Sequence, residues 1–132
     1  MESSEIIQNI GKLIFQSANL SAENWDYAIY VYSYEGGGII GGQPLLYKDR
    51  KQIKLQTREI RKELRANFFK LLDITHIENA DHWIKCLVGV KNKTKEIKVF
   101  FEFENMQRWK ITPVNAANAY NMIIGEVFKE DI

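Results

Sequence analysis

The stretch of sequence that decides the fold is WDYAIYVYSYEGGG, residues 25–38. Residues 25–34 are rich in aromatic and β-branched side chains, which favour a β-strand. The glycines after Glu35 predict a turn, because glycine adopts positive φ without steric penalty. A second strand is expected over 39–47, with a bulge or an edge position at its Gly-Gly pair and Pro44. The stretch therefore predicts a β-hairpin.

Helical periodicity appears on both sides of this hairpin. In residues 4–18 the apolar side chains recur at helical spacing, with one of two adjacent serines as the expected N-cap. Residues 57–73 carry a second apolar stripe of the same period. Near the C-terminus, Thr112 followed by proline predicts the start of an amphipathic helix over 113–129. The sequence therefore predicts three helices.

A second hairpin is predicted after the central helix. Residues 83–90 and 96–104 read as strands, joined by the polar segment 91–95, and the polar residues 74–82 form a loop before them. We therefore expect one α+β domain over residues 1–132, in the order α-β-β-α-β-β-α. Its antiparallel sheet would have about four strands in two hairpins, with the three helices packed on it.

Composition and charge exclude several classes of protein. A formal net charge of +1 argues against a molecule built as a whole for nucleic acid or an anionic membrane. Cys86 is the only cysteine, so neither an internal disulfide nor a thiolate metal cluster can form. No apolar run approaches the roughly 20 residues that span a bilayer, and Glu2 and Glu5 stand where a secretory signal carries base. We expect a cytoplasmic protein with no membrane partner, cofactor or metal.

No catalytic motif is present. The sequence contains no P-loop, no G-x-S-x-G elbow, no H-E-x-x-H and no zinc-type pairing of Cys or His. His76 and His82, with Glu78 and Asp81 between them, fit a metal site or an acid–base pair, but such loops are more often solvated surface. Cys86 has the parity of the apolar side of its strand and is interpreted as a small buried hydrophobe. The sequence thus favours a protein that is not an enzyme.

Charge is segregated along the chain. Residues 48–70 contain nine Lys or Arg and three Asp or Glu, so their balance is 9 − 3 = +6, and the total of +1 leaves −5 for the rest. Four of the cations fall on one helical stripe roughly opposite the apolar one: Arg58, Arg61, Lys62 and Arg65. This stripe is either a solvated outer face or a basic contact surface for an acidic protein or a nucleic acid.

A second candidate surface lies on the predicted sheet. If Ile29, Val31, Cys86 and Val88 face the core, strand alternation puts their neighbours on the other face. That opposite face would carry Tyr30, Tyr32, Tyr34, Trp83, Lys85, Leu87, Lys98, Phe100, Glu102 and Glu104. Tyr and Trp supply much of the binding energy at protein interfaces. The face is therefore either a partner-binding surface or covered by one of the helices.

Taken together, several of these motifs resemble YezG-like immunity proteins of bacteria. The similar features are, in chain order, Trp25-Asp26 before an aromatic strand, Glu35-Gly36-Gly37-Gly38, the charged helix of Thr57-Arg58-Glu59-Ile60, the strand with Trp83, and the hairpin end Phe101-Glu102-Phe103-Glu104. The resemblance covers residues 20–105. The segment after Trp109 departs from the family pattern, because it reads as a full amphipathic helix.

This resemblance implies a small antidote that binds a cognate toxin, such as the nuclease C-terminal domain of a contact-dependent inhibition or other polymorphic toxin system. Such a protein covers the toxin's active or docking surface through shape and complementary charge. The side chains expected at this interface are Tyr30, Tyr32, Glu35, Arg58, Lys62, Arg65, Trp83, Phe100 and Glu102.

Two other hypotheses stay open. One is a small nucleic-acid-associated module that uses the basic helix, although the near-neutral net charge disfavours a nucleic-acid partner. The other is an enzyme built around His76 and His82. The oligomeric state is not predicted by the sequence.

Overall fold

The architecture is a five-stranded antiparallel sheet with helices on both faces. In this computed structural model, residues 2–35, 38–78 and 80–132 are described, with only the backbone at 35 and 38–40. The strands are β1 (Tyr27–Glu35), β2 (Gly38–Lys48), β3 (Lys51–Ile53), β4 (Lys85–Lys91) and β5 (Ile97–Glu102), and the helices are α1 (Ser3–Ser21), α2 (Arg61–Thr75) and α3 (Ala119–Val127). The predicted α+β class with an antiparallel sheet is confirmed. The turn expected at 36–37 lies outside the described residues.

The strand that the sequence did not predict is β3, which makes the order α-β-β-β-α-β-β-α. It pairs with the end of β2 through a two-residue turn in which Asp49 has a φ of 51° and Arg50 a φ of 66°. Positive φ at both central positions matches the twist of a hairpin but usually calls for Asn-Gly or Asp-Gly. Asp-Arg is not one of these pairs, so the sequence did not predict the turn or the strand that follows it. The turn is held by the Asp49 N–H, which donates to Asp26 Oδ2 at 2.8 Å.

Pro44 occupies the edge position that its chemistry requires. In the strand order β3-β2-β1-β4-β5, β3 pairs only with the last three residues of β2. Pro44 pairs with Tyr30 of β1 on its inner side and lies outside the stretch that β3 covers. The missing N–H of proline therefore costs no ladder hydrogen bond. The expected bulge is also present, as a register shift between Ser33 and Tyr34.

The two hairpins join through β1 and β4, which pair antiparallel with Tyr30 opposite Val88 and Tyr32 opposite Cys86. Residues directly opposite each other share a face of the sheet. The tyrosines therefore lie on the same face as Cys86 and Val88, and Ile29 lies on the other face. The prediction that Ile29 and Cys86 share a face of the sheet is wrong. The register between two separate hairpins cannot be derived from the sequence of either hairpin alone.

Both faces of the sheet are buried. The first core lies beneath α1 and α2 and contains Ile10, Ile14, Tyr30, Tyr32, Leu64, Phe68, Trp83, Cys86 and Val88. The second core lies beneath α3 and contains Tyr27, Ile29, Val31, Tyr47, Leu87, Trp109, Ile123, Ile124 and Phe128. Since each strand residue faces one of these two layers, the long uninterrupted burial of β4 is explained.

The helix ends differ from the prediction. Helix α1 has Glu2 rather than a serine as its N-cap, without a side-chain cap hydrogen bond. The last helix begins at Ala119, after a 3₁₀ turn over Ala116–Asn118, and not at residue 113. The Asn115 side chain accepts the Thr112 N–H at 2.8 Å and donates to the Lys110 carbonyl at 2.9 Å, which fixes a turn there instead. None of the helices in the described part of the chain has the length and apolar character required to cross a bilayer.

Helix α2 is fixed to the sheet by an aromatic stack. The Phe68 ring lies parallel to the Tyr32 ring, with 4.6 Å between centroids and 2° between planes, and stacks on Tyr30 at 5.7 Å. Phe68 is fully buried, whereas the adjacent Phe69 is 39% exposed. The stack therefore sets which side of α2 faces solvent.

We expect Phe68→Ala to lower the free energy of unfolding by about 3–5 kcal/mol, because it opens a cavity beneath α2. Phe69→Ala is the matched control, since the same side chain is removed one residue further on, and it should cost about 0.5 kcal/mol. Urea unfolding at neutral pH measures both variants. Equal losses would show that the stack does not anchor the helix.

Candidate functional site

Three of the four cations predicted to share a helical stripe lie in the first turns of α2, and Arg58 lies in the turn just before it. We call Arg58, Arg61, Lys62 and Arg65 the cationic face. All four residues are exposed, while Ile60, Leu64 and Leu71 are buried. The ion pairs formed by the described residues are made by Lys91, Lys98 and Arg108, and none includes a member of the cationic face.

The segment that leads into α2 is tied to α1. The Ser17 hydroxyl donates to the Gln56 carbonyl, and the Gln56 N–H donates to Ser21 Oγ at 2.8 Å. Thr57 then accepts the Ile60 N–H at 3.1 Å through its carbonyl oxygen, which closes the turn that carries Arg58. The cationic face is thus positioned by hydrogen bonds as well as by the core beneath it.

A pocket of about 370 Å³ opens between the cationic face and the glycine-rich part of β2. We call it the tyrosine–arginine pocket. Its lining residues are Tyr30, Tyr32, Gly41, Gly42, Pro44, Thr57, Arg61 and Arg65. A Cβ atom at Gly42 would collide with the Tyr30 ring, so glycine is required there for the ring to lie against the strand.

The pocket is rich in hydrogen-bond donors. Its lining includes Arg61, Arg65, two tyrosines and a threonine, and none of the described residues that line it is acidic. The Tyr32 hydroxyl itself is fully buried. Burial raises the pKa of Tyr30 and of Tyr32, and the nearby charges of Arg61 and Arg65 oppose that rise. Both phenols are therefore neutral donors at physiological pH. Such a lining suits an anion.

Three side chains expected on an exposed interface are buried. Tyr30, Tyr32 and Trp83 are 6%, 3% and 2% exposed, because α1 and α2 pack on the face of the sheet that carries them. The Trp83 indole N–H donates to Thr75 Oγ1 at 3.0 Å inside this layer. Of the two alternatives that the sequence left open for this face, cover by helices is therefore the correct one. Tyr30 and Tyr32 reach the outside only as part of the tyrosine–arginine pocket.

The remaining predicted interface residues lie elsewhere. Phe100 is half-buried against the core beneath α3, on the opposite side of the sheet from the tyrosines. Glu102 ends β5, and the Glu35 side chain lies outside the described part of the structure. Of the predicted interface residues, the structure thus brings Arg65 together with Tyr30 and Tyr32 at one pocket and places Phe100 on the other side of the sheet.

Glu102 stabilises the turn that follows β5. Its Oε2 accepts backbone N–H groups from the three residues that follow, at 3.1, 3.0 and 3.0 Å, and its Oε1 accepts Arg108 Nη1 at 2.8 Å. The backbone hydrogen bonds, followed by the one from Arg108, lower the pKa of Glu102 to about 2. Arg108 also pairs with Glu126 and lies 4.3 Å from the centroid of the Trp109 ring. This carboxylate therefore holds the turn after β5.

Lys85 is a buried cation that none of the sequence motifs predicted. Lys85 is only 5% exposed and donates to the Arg108 carbonyl at 2.9 Å. Burial lowers the pKa of Lys85, and the charge of Lys110 acts in the same direction. A lysine at the start of the apolar strand β4 was the available signal. Its ammonium fastens the 103–110 segment to the sheet.

His76 and His82 lie next to each other in the structure. The rings of His76 and His82 lie 3.8 Å apart at their centroids, at the C-terminal end of α2. His76 Nε2 and the Ala80 carbonyl are 2.8 Å apart, and Glu78 and Asp81 are exposed. In the described part of the chain, no group of three or more His, Cys, Asp or Glu residues is placed to hold a metal. Cys86 is fully buried, and burial raises the pKa of its thiol well above the ordinary value.

Comparison with known proteins gives no relative: no model of a protein family matches the chain, and no curated protein matches its sequence. The candidate site is therefore defined by its own geometry. That geometry is the cationic face, the tyrosine–arginine pocket at its foot, and the aromatic core that supports both.

We expect Glu102→Gln to destabilise the protein in a pH-dependent way. Because folding lowers the pKa of this carboxyl from 4.5 to about 2, its contribution is complete above pH 4.5 and is lost as the pH falls towards 2. The difference in urea midpoint between wild type and variant should therefore be largest at neutral pH and should narrow over that interval. Glu104→Gln, two residues away and exposed, is the control and should show no such narrowing.

Proposed function

We propose that this protein is a bacterial immunity protein, which binds a cognate toxin domain and neutralises it by covering its active or docking surface. The observation that supports this proposal is the cationic face, whose four exposed charges are left out of the ion pairs of the described residues. Charge displayed in this way accelerates the capture of a partner of opposite sign and disfavours other partners.

The support beneath the cationic face suits a binding protein. Phe68 stacks on two tyrosines below α2, and Ser17 and Ser21 tie the preceding segment to α1. A surface held in place before binding loses less conformational entropy when its partner arrives. The exposed Phe69 ring, 5.9 Å from the Arg65 guanidinium carbon, adds apolar contact area beside the charge.

The proposed mechanism requires no covalent chemistry. The toxin would present an acidic surface at or beside its active site, and α2 would lie across it. We place this encounter in the cytoplasm, where a toxin domain delivered between cells acts, and assign the partner as the C-terminal domain of a larger secreted toxin. The nuclease class is one candidate for its activity.

A nucleic-acid-associated module is the second candidate function, because the cationic face would equally attract a phosphate backbone. The charge outside residues 48–70 sums to −5 and would repel the same backbone. Steep, salt-dependent retention on immobilised heparin would favour nucleic acid. Passage without retention at physiological salt would favour a protein partner.

The first test is co-purification of the tagged protein from its native host. We expect a stoichiometric partner that is lethal when expressed alone and harmless when this protein is present. Recovery of RNA, or of no partner, would contradict the proposed function.

With that toxin in hand, Arg58→Glu/Lys62→Glu should weaken binding at least about tenfold, which corresponds to about 1.4 kcal/mol. The control is Lys93→Glu/Lys129→Glu, which changes the net charge equally at exposed positions away from α2. It should stay within about twofold of wild type, since only local charge contributes at physiological salt. Titration calorimetry measures the affinity, and growth under toxin expression measures protection. A similar loss in both double variants would locate the interface elsewhere.

A further inference from the structure

The tyrosine–arginine pocket has features that a merely solvated helix face lacks. Arg61 and Arg65 are four residues apart on α2, so their side chains emerge on the same side, one turn apart. Both line a recess of about 370 Å³, near the lower end of the roughly 300–1,000 Å³ typical of ligand pockets. Both arginines therefore border the same recess.

A buried group without a partner lies in the wall of this pocket. The Tyr32 side chain is only 3% exposed, and its hydroxyl has no hydrogen-bond partner among the described residues. An unpaired buried hydroxyl destabilises the free protein, because it has lost its hydrogen bonds to water and forms none within the protein. The charge of Arg65 acts on this phenol, which places the cation and the unused donor close together. The hydroxyl itself is fully buried, so it lies behind the wall of the pocket and does not reach a ligand there.

We propose that the tyrosine–arginine pocket is an anchor site for one carboxylate side chain, a Glu or an Asp, of a partner protein. The carboxylate accepts hydrogen bonds from the guanidinium groups of Arg61 and Arg65. This inference rests on the proposed function for the identity of the partner, while the chemistry of the pocket is a property of the free chain.

A protein carboxylate fits the pocket better than a nucleic-acid phosphate. The inner wall consists of the Tyr30 and Tyr32 rings, which stack on Phe68, and the rim includes Pro44. These apolar surfaces suit the methylene stem of an acidic side chain. A phosphate backbone runs along an extended groove of positive charge, whereas this pocket is a single recess on a molecule whose remaining charge is negative.

The inference is tested on the free protein by ¹⁵N NMR titration with a capped Gly-Glu-Gly peptide. A capped Gly-Gln-Gly peptide differs only in the loss of the carboxylate. We expect the Glu peptide to shift the amides of Gly42 and Thr57 with a millimolar Kd, and the Gln peptide to bind about fivefold more weakly or worse. Arg61→Gln/Arg65→Gln should abolish the shifts. Arg58→Gln/Lys62→Gln, which removes the same charge just before and within the first turn of α2, should keep most of them.

A second pair of variants separates binding from structure. Tyr32→Phe removes only the unpaired, fully buried hydroxyl, so the free protein should melt at a higher temperature while the Glu peptide binds as it does to wild type. Tyr47→Phe is the control, because its buried hydroxyl is also unpaired but belongs to the core beneath α3. It should raise the melting temperature and leave peptide binding unchanged.

Three results of the titration on the free protein would contradict the proposal that the pocket binds a carboxylate. They are the absence of pocket shifts with the Glu peptide, equal binding of both peptides, or shifts of the same amides by a short single-stranded oligonucleotide at lower concentration. The last result would assign the pocket to nucleic acid. A toxin that co-purifies but binds Arg61→Gln/Arg65→Gln with the same affinity as wild type would contradict the proposed anchor site. It would still support the immunity function.

Discussion

The pairing of β1 with β4 joins two hairpins that are separated in the chain by α2 and its flanking turns. This ladder places Tyr32 opposite Cys86 and Tyr30 opposite Val88, and so determines which side chains share a face. Helices α1 and α2 cover the face with the tyrosines, and α3 covers the other. Every later feature, from the aromatic stack to the position of the cationic face, depends on this register, because a shift by one residue would exchange the two faces.

The tyrosines of β1 serve the core and the candidate site at once. Their rings pack beneath α2 against Phe68, and the same residues line the pocket at the start of that helix. Binding chemistry is therefore built on the rigid part of the molecule. The unpaired hydroxyl of Tyr32 is the local cost of this arrangement, since a phenylalanine would pack equally well without burying a donor.

Several polar residues outside this site are explained by the fold itself. Glu102 holds the turn after β5, and Lys85 fastens the following segment through the Arg108 carbonyl. The Asp26 carboxylate accepts the Asp49 N–H at the β2–β3 turn. A hydrogen bond between a side chain and a backbone group requires one suitable side chain at one position. Such residues therefore form no recurring pattern that a search for motifs could detect.

The sequence by itself determined the three helices, the two hairpins and the concentration of exposed cations around the start of α2, because each depends on periodicity, turn chemistry or charge within a short segment. Only the tertiary structure decided that Tyr30 and Tyr32 are buried, that Trp83 is buried, and that Phe100 lies on the other side of the sheet. The physical reason is that alternation along a strand separates two faces but does not say what covers either one. The pocket likewise needs Arg61 and Arg65 beside strand residues far away in the chain, and that proximity arises only when α2 packs on the joined hairpins.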